Sequence, residues 1–525
     1  MRAPRLAYHK ALPLAILACL TLLYGVFLTQ GINLVTADLG RHLKNGAHFV
    51  QTLRVPQGNF YSYTHQDYPL VNHHWASGVV FYAVERIGGF PGIALFFIAT
   101  SIAIFLIFFH AASRLGRFDI AAFSALLAIP LLTYRAEVRP ELFSYLLAAI
   151  FFWILTGVAR KTLSQKWLAA LVPLTALWVN LHIYFFLAPL FITLFALDEI
   201  RAWYRSRTSD ALRRVKIIAG ILFLAGVALL LNPAGLEGAL QPFTIFKNYG
   251  YRLLENQSVW FIARVLGSYP PNHYFFVAFG ALAASWAAFA IQIMRRREEF
   301  RPLATTLISI FMGAIALFAV RNFTLFAYCA IPALTLHFSA LFNGKRAPRY
   351  HYARLTFLLF ALFAGLLALN PDYWKTKKFF TLGLLEKTNG AAEFFIRENL
   401  RGPIFNNYDI GGYLIYHLYP RERVFVDNRP EAYPVSFFED TYIPMQESDE
   451  KWRETDGRFR FNTVIFYRRD LTPWAQKFMI ARIQDAAWAP VYVDDYAIIF
   501  LKRNEANETI IKKFELPRNL FSIRS

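Results

Sequence analysis

Asp38 and His42 stand four residues apart in ADLGRHLKNG, a spacing that puts both side chains on one face of a helix. A carboxylate and an imidazole so placed can handle a substrate proton together, or contribute to a divalent-metal site for Mg or Mn. The bland alternative is a capping carboxylate beside a surface histidine. Both residues open a polar stretch, Ala37–Trp75, that also carries Arg41, Arg54, Asp67, His73 and His74. A second group, YRAEVRPE at 134–141, alternates Arg135, Glu137, Arg139 and Glu141. Arginine presents a planar fork that suits phosphate oxygens, so this group is either a phosphate clamp or an ion-paired helix boundary. Arg321 and the Asn180–His182 pair add polar groups at the same kind of position, between apolar runs. His182 reads first as a buried, satisfied histidine and second as pocket lining. His73 and His74 are adjacent, and neighbours on a regular helix or strand point apart, so they are a weak metal pair.

These residues must be positioned by a membrane protein. The 525 residues are 56% hydrophobic and 17% aromatic, above the ~45–50% apolar content of ordinary soluble chains. Leu12–Leu28 and ten later stretches, near 90–112, 118–134, 141–159, 167–181, 183–199, 216–232, 272–293, 302–320, 322–342 and 353–370, are about long enough to span a bilayer. The expected fold is a polytopic α-helical membrane protein of about eleven transmembrane helices. A cleaved signal peptide is the rival for the first run, but no small-residue cleavage site precedes Thr36. Basic residues gather at 114–117, 160–166, 201–216, 295–301 and 345–354, all in alternate loops with the N-terminus. The positive-inside rule makes that side cytoplasmic. The first loop (30–89), 134–141, 180–182, 232–271 and 321–322 then face outward, with everything after 371.

The net charge of +20 belongs to the membrane half: residues 1–370 carry 32 Lys/Arg against 13 Asp/Glu, and 371–525 carry 23 against 22. Topology accounts for the excess, and no nucleic-acid partner is expected. Cys19 and Cys329 lie in apolar runs, which leaves no disulfide framework and no cysteine metal site. Span centres lack ionisable residues, which disfavours ion-coupled transport.

Thr36 is expected to cap a helix from about Ala37, with Asp38 in its first turn. Leu39, Leu43, Val50 and Leu53 would lay that helix on the outer membrane surface. Residues 371–525 read as a separate periplasmic α/β domain. It has a helix at 391–400, strands in PIFNNYD, RVFVDN and TVIFYRR, a helix in WAQKFMIARIQDAAW, and a hairpin turning at Asp494–Asp495. Gly411-Gly412 marks a tight turn in an Asn-, Asp- and Tyr-rich stretch (405–433) that is either structural or sugar-binding. No GxGxxG or P-loop is present.

ADLGRHLKNG, the run Pro56–Thr64, VNHHW, RPELFSYLL, WVNLH, LNPAG and NNYDIGGYLIYHLYP together resemble bacterial multipass proteins of the C-type glycosyltransferase fold. That superfamily includes the protein O-mannosyltransferases and aminoarabinose transferases. The resemblance covers nearly the whole chain. It implies an inverting transferase that moves a sugar from a polyprenyl-phosphate-linked donor to a glycan, lipid or protein acceptor outside the bacterial cytoplasmic membrane. It further implies Asp38 as general base or metal holder, and phosphate contacts from Arg41, Arg135, Arg139 or Arg321. Many relatives have two adjacent acids at the loop start; here Ala37 and Leu39 flank Asp38, which leaves the metal open. A lipid or polysaccharide transporter and a non-catalytic assembly protein are the alternatives.

Overall fold

The computed structural model describes residues 3–245, 249–295, 303–341 and 351–521. The basic clusters at 296–301 and 345–349 lie outside these residues. Without water in a bilayer core, only hydrogen bonds within a segment satisfy its backbone, and the apolar stretches are accordingly helical. In chain order the helices are α1 (Ala3–Leu28), α2 (Leu39–Thr52), α3 (Trp75–Leu115), α4 (Phe118–Leu132), α5 (Glu141–Ala159), α6 (Leu171–Leu181) and α7 (Leu187–Ser206). There follow α8 (Ser209–Ala228), α9 (Gly235–Thr244), α10 (Val259–Leu266), α11 (Pro270–Arg295), α12 (Ala304–Phe318), α13 (Phe323–Leu341) and α14 (His351–Leu369). Among the described residues, six helical segments are long and apolar enough to cross a membrane: Ala11–Leu28, Trp75–Leu115, Glu141–Ala159, Ile183–Ser206, Pro270–Ile291 and Val320–Leu341. Phe118–Leu132, Ala304–Phe318 and Arg354–Leu369 are shorter apolar helices. α6 and α8 occupy the places of two further expected spans. The second expected span is the distal part of α3, which bends at Gly89 (φ 60°) just before Pro91.

The first loop departs from expectation. α2 begins at Leu39 with Asp38 as the residue before it, and that carboxylate makes no capping hydrogen bond. Nor does α2 present an apolar stripe to a membrane. Leu39 and Leu43 are buried together with Arg41, His42 and Asn45, whereas Val50 and Leu53 are exposed. The buried face packs on α3 through glycine. A Cβ on Gly46 would lie 2.1 Å from the Gly78 carbonyl oxygen, and one on Gly78 would lie 2.7 Å from that of His42.

After α15 (Pro371–Lys375) and α16 (Gly390–Arg397) comes a four-stranded sheet of order β1-β2-β4-β3. Its strands are β1 (Ile404–Asn406), β2 (Thr463–Tyr467), β3 (Trp488–Val493) and β4 (Ala497–Lys502). β1 runs parallel to β2, and the other pairs are antiparallel. RVFVDN is not a strand of this sheet. It pairs only through Val424, with Ser62 of the first loop. Gly411-Gly412 is not a turn but the start of α17 (Gly411–Leu418). Both glycines serve close approach: a Cβ on Gly411 would meet the Asp427 Cα at 2.4 Å.

The first loop is sewn into the C-terminal half rather than standing apart from it. Arg429 donates to Asn59 Oδ1 (2.6 Å) and to both oxygens of Asp427 (2.7 and 2.6 Å). Asn59 donates to the Ala432 carbonyl (3.0 Å), and Tyr63 to that of Ile404 (2.8 Å). Residue 370 marks the end of the long helices, but the polar core spans both halves.

The glycine contact gives a direct prediction. Gly46→Ala forces backbone apart and lowers the thermal stability of the purified protein by at least 1–3 kcal/mol, the usual range for overpacking. Gly88→Ala, where a Cβ meets nothing within 4 Å, leaves the unfolding midpoint unchanged or slightly raised.

Candidate active site

Asp38 is held between two arginines and a histidine. Arg41 donates from Nη2 to Asp38 Oδ2 (3.3 Å) and from Nε to Asn428 Oδ1 of the C-terminal half (3.3 Å). Arg139 Nη1 lies 3.7 Å from Asp38 Oδ1, and His42 Nε2 lies 3.5 Å from Oδ2. Because the carboxylate does not cap α2, it is free for these contacts. Burial raises the Asp38 pKa, but Arg139, His42 and Arg41 outweigh it and hold the group well below the usual carboxylate range.

Arg139 links this group to a second acid. Glu255, from the long outward-read loop, accepts from Arg135 (2.8 Å) and lies 3.7 Å from Arg139 and 3.8 Å from Arg321. Glu141, at the start of α5, bridges Arg135 (2.8 Å) and Arg321 (3.2 Å) from the other side. Arg321 also donates to Asn256 Oδ1 (2.9 Å). Glu137 is bound only to Arg139 (2.9 Å) and is half exposed. Burial raises the Glu255 pKa, yet the three arginines bring it far below its ordinary value.

The histidines line the other flank. His73 and His74 occupy a turn immediately before α3. There their rings lie side by side, 4.0 Å between centroids, instead of pointing apart. His74 is 5.5 Å from His42 and 5.0 Å from His182. His182 has a defined tautomer. The Tyr184 backbone N–H donates to its Nδ1 (3.4 Å), which is therefore an acceptor, so Ser144, which accepts from Trp178 (2.8 Å), donates its hydrogen to that nitrogen (2.8 Å). The His182 proton therefore sits on Nε2, which has no partner. Burial brings His73 and His182 each down to about 3, so both rings are neutral at pH 7.

Of the residues singled out above, Asp38, Arg41, His42, His73, His74, Arg135, Glu137, Arg139, His182 and Arg321 fall into one contiguous network, whereas Arg54 and Asp67 are exposed and join none of these contacts. Sequence reading missed Glu255 and Asn256 and reached Asn428 and Asp409 only as members of the 405–433 stretch; the Asp409 carboxyl is pushed up to about 7 by burial and by Asp470, with Arg139 acting against the rise. The one signal for Glu255 was its being an acid among outward-read loops rich in arginine. The network is unusually rich in unsatisfied buried polar atoms. Among the described residues these include Asp38 Oδ1, both His42 ring nitrogens, Nε of Arg135 and Arg321, Asn256 Nδ2 and His182 Nε2. Most are donors, and buried donors normally have partners, so the site is built to receive acceptor oxygens.

A divalent cation fits this arrangement poorly. Among the described residues, the carboxylate in contact with His42 is that of Asp38, already flanked by Arg41 and Arg139, and the His42 and His74 rings meet edge to face. Among the described residues, no three His, Cys, Asp or Glu side chains are placed to hold a metal ion.

Known proteins were compared with this geometry in hand. No protein-family model matches the sequence, and no curated protein is similar to it. Solved structures do match. The oligosaccharyltransferase AglB from Archaeoglobus fulgidus, in complex with an inhibitory peptide and a dolichol-phosphate, superposes with a TM-score of 0.58 at 12% identity, over 92% of this chain and 74% of that one. The same enzyme in complex with Zn and sulfate gives 0.57 at 13% identity, over 93% and 73%. ArnT from Cupriavidus metallidurans, bound to undecaprenyl phosphate, gives 0.50 at 12% identity, over 93% and 97%. The fold is that of the C-type glycosyltransferases. At these identities the likeness concerns architecture; the roles of individual residues rest on the geometry above.

Glu255 contributes to the stability of this ion network. Its depressed pKa means that it binds fewer protons folded than unfolded. Its contribution is present above the unfolded carboxyl value of about 4.3 and is lost as pH falls. Glu255→Gln strips three arginines of a shared acid and destabilises by about 2 kcal/mol or more. Unfolding midpoints measured from pH 7 to pH 3 fall less steeply in the variant than in the wild type.

Proposed function

We propose that the protein transfers a sugar from a polyprenyl-phosphate-linked donor to an acceptor hydroxyl at the outer face of the bacterial cytoplasmic membrane, inverting the anomeric carbon. The observation that carries this reading is Asp38: a carboxylate that does no capping, set within 4 Å of Arg139 and Arg41 and continuous with Arg135 and Arg321 through Glu255 and Glu141. The sidedness has support of its own. The first loop, 134–141, 180–182, 249–257 and 321–322 are all read as outward from loop charge, and they meet at this one place.

The chemistry follows from the residue types. A lipid phosphate leaves readily once its charge is offset, so the protein needs cationic donors at the departing oxygens and a base at the attacking one. Arg139 reaches both acids, Asp38 and Glu255, and one of its partners, Glu137, is half exposed and so can be displaced by a phosphate. Arg135 and Arg321 each keep an unpartnered Nε–H for a phosphate oxygen. Asp38 takes the proton of the acceptor hydroxyl as its oxygen bonds to the anomeric carbon and the carbon–phosphate oxygen bond breaks. The wall made by α17 and Asn428 brings the C-terminal half against Asp38: Gly412 lies so close that a Cβ there would be 3.6 Å from the Asp38 Cα. That half is therefore placed to receive the acceptor, whether glycan, lipid or protein. Membrane lipids surround the helices, and the donor's chain enters from them.

The test is transfer of radiolabelled sugar from a panel of polyprenyl-phosphate donors by the purified protein. Asp38→Asn is expected to lower the rate at least ~100-fold with the protein still folded. Arg139→Lys, which loses the fork but keeps the charge, should raise the KM for donor more than it lowers kcat. Transfer undiminished in Asp38→Asn would move the base elsewhere. No transfer from any donor by folded wild-type protein would favour transport or assembly instead.

A further inference from the structure

Away from the arginines, the His73 ring also lines a cavity of about 230 Å³. At about 30 Å³ per water it has room for seven or so waters, below the ~300 Å³ at which pockets for drug-sized ligands begin. That is space for one sugar ring rather than a chain of them. Its lining differs in kind from the surroundings of Asp38. Among the described residues its one charged lining side chain is the exposed Glu237, and no lysine or arginine takes part. An anionic group is therefore disfavoured here, whereas four arginines favour one beside Asp38.

Two adjacent polar atoms of the wall are left over. His73 is 7% exposed. The Val71 carbonyl can only accept, so His73 Nδ1 donates to it (3.2 Å), and Nε2 of the neutral ring is an acceptor that no described contact occupies. Asn72 Oδ1 accepts from the His74 N–H (3.4 Å). That fixes the amide and leaves Nδ2 as a buried donor without a partner. An acceptor beside a donor is the complement of a hydroxyl group, which donates to Nε2 and accepts from Nδ2. The remaining polar side chains of the inner wall are spent. Asn232 Oδ1 accepts from the Ala234 N–H (2.9 Å), and its Nδ2 donates to the Leu229 and Gly235 carbonyls (2.8 Å each). Trp75 gives its indole N–H to Asn180 (2.8 Å), so it offers the cavity an apolar ring.

The helix α9 puts the cavity at the membrane surface. Leu236, Leu240 and Phe243 are 65%, 47% and 70% exposed and share one helical face, the pattern of a helix lying in the acyl boundary. Glu237 and Gly238, turned away from that face, line the cavity. We propose that this cavity binds the uncharged, hydroxyl-bearing headgroup of a membrane lipid, with one hexose ring between His73 and Asn72 and the acyl chains beside α9. The His73–His74 pair separates the cavity from His42 and Asp38, so a phosphate at the arginines and a neutral sugar here can be held at once. Binding does not require Asp38 to act as a base, and its failure would leave the transferase reading standing.

The experiment uses the full-length protein in nanodiscs of phosphatidylcholine, alone or with a tenth of the lipid replaced by monoglucosyldiacylglycerol or by phosphatidylglycerol. Diethyl pyrocarbonate, which acylates an open neutral imidazole nitrogen, is followed at His73 by mass spectrometry. The glucosyl lipid should slow that labelling at least ~5-fold, as a mostly occupied site requires. Phosphatidylglycerol, or free glucose at the same concentration, should leave it unchanged. Asn72→Leu should label like the wild type in phosphatidylcholine, which reports an intact site, and bind the glucosyl lipid about tenfold more weakly. Glu237→Lys, a change at an exposed position, should let phosphatidylglycerol protect His73. A His73 that is unreactive in phosphatidylcholine, or that the glucosyl lipid does not protect, overturns the proposal. Equal protection of the wild type by phosphatidylglycerol overturns the preference for an uncharged headgroup, and equal protection by free glucose makes the ligand a soluble sugar rather than a lipid. Full protection in Asn72→Leu overturns the assignment to these two residues.

Discussion

Four guanidinium groups gathered at the edge of a membrane domain repel one another, by about 4 kcal/mol for a pair at 4 Å in a partly buried setting. They stay together here because acids are interleaved with them. Asp38 stands between Arg41 and Arg139, Glu255 among Arg135, Arg139 and Arg321, and Glu141 between Arg135 and Arg321. These residues come from five places in the chain: the first loop, the segment after α4, the start of α5, the loop before α10 and the turn before α13. The ion network therefore ties these helix ends to one another. Tyr251, stacked on Tyr408 at 4.2 Å, anchors the Glu255 loop to the C-terminal half and fixes where that acid falls.

The sequence disclosed the parts of this arrangement that local chemistry controls. Apolar runs announce helices because a bilayer leaves the backbone no other choice, and loop charges sort the ends into two sides. Asp38, Arg135, Arg139, His182 and Arg321 could be grouped on that basis, without any knowledge of helix packing. The two readings of YRAEVRPE, clamp or ion-paired boundary, turn out not to exclude each other. The arginines are paired with acids and still carry unpartnered Nε–H groups.

What stayed hidden depends on contacts across hundreds of residues. Glu255 looks ordinary until the packing of Tyr251 carries its loop over the arginines. α2 reads as a surface amphipath from Leu39, Leu43, Val50 and Leu53, yet Gly40, Gly46 and Gly78 let it sink between α3 and α17, burying Arg41 and His42. A Cβ on Gly40 would strike Tyr416 at 2.7 Å, so the glycines of ADLGRHLKNG and DIGGY belong to one interface. Periodicity registers a helix's apolar face but not a face made available by missing side chains. RVFVDN has strand composition, but its partner is the first loop rather than the sheet.

The same cations that keep Asp38 ionised weaken it as a base, which works against a catalytic role. On the transferase reading the two effects are reconciled by Arg139, which is shared. Before the donor arrives, Arg139 is divided among Glu137, Asp38 and Glu255. A phosphate competes for it most easily against Glu137, the half-exposed partner with no other bond. As charge grows on the departing phosphate oxygen, Arg139 is drawn toward it and away from Asp38, 3.7 Å distant and not hydrogen-bonded. The proton affinity of Asp38 then rises as the acceptor hydroxyl attacks. On that reading, leaving-group stabilisation and base strength are coupled through one guanidinium, and the carboxylate would gain basicity only with a donor in place.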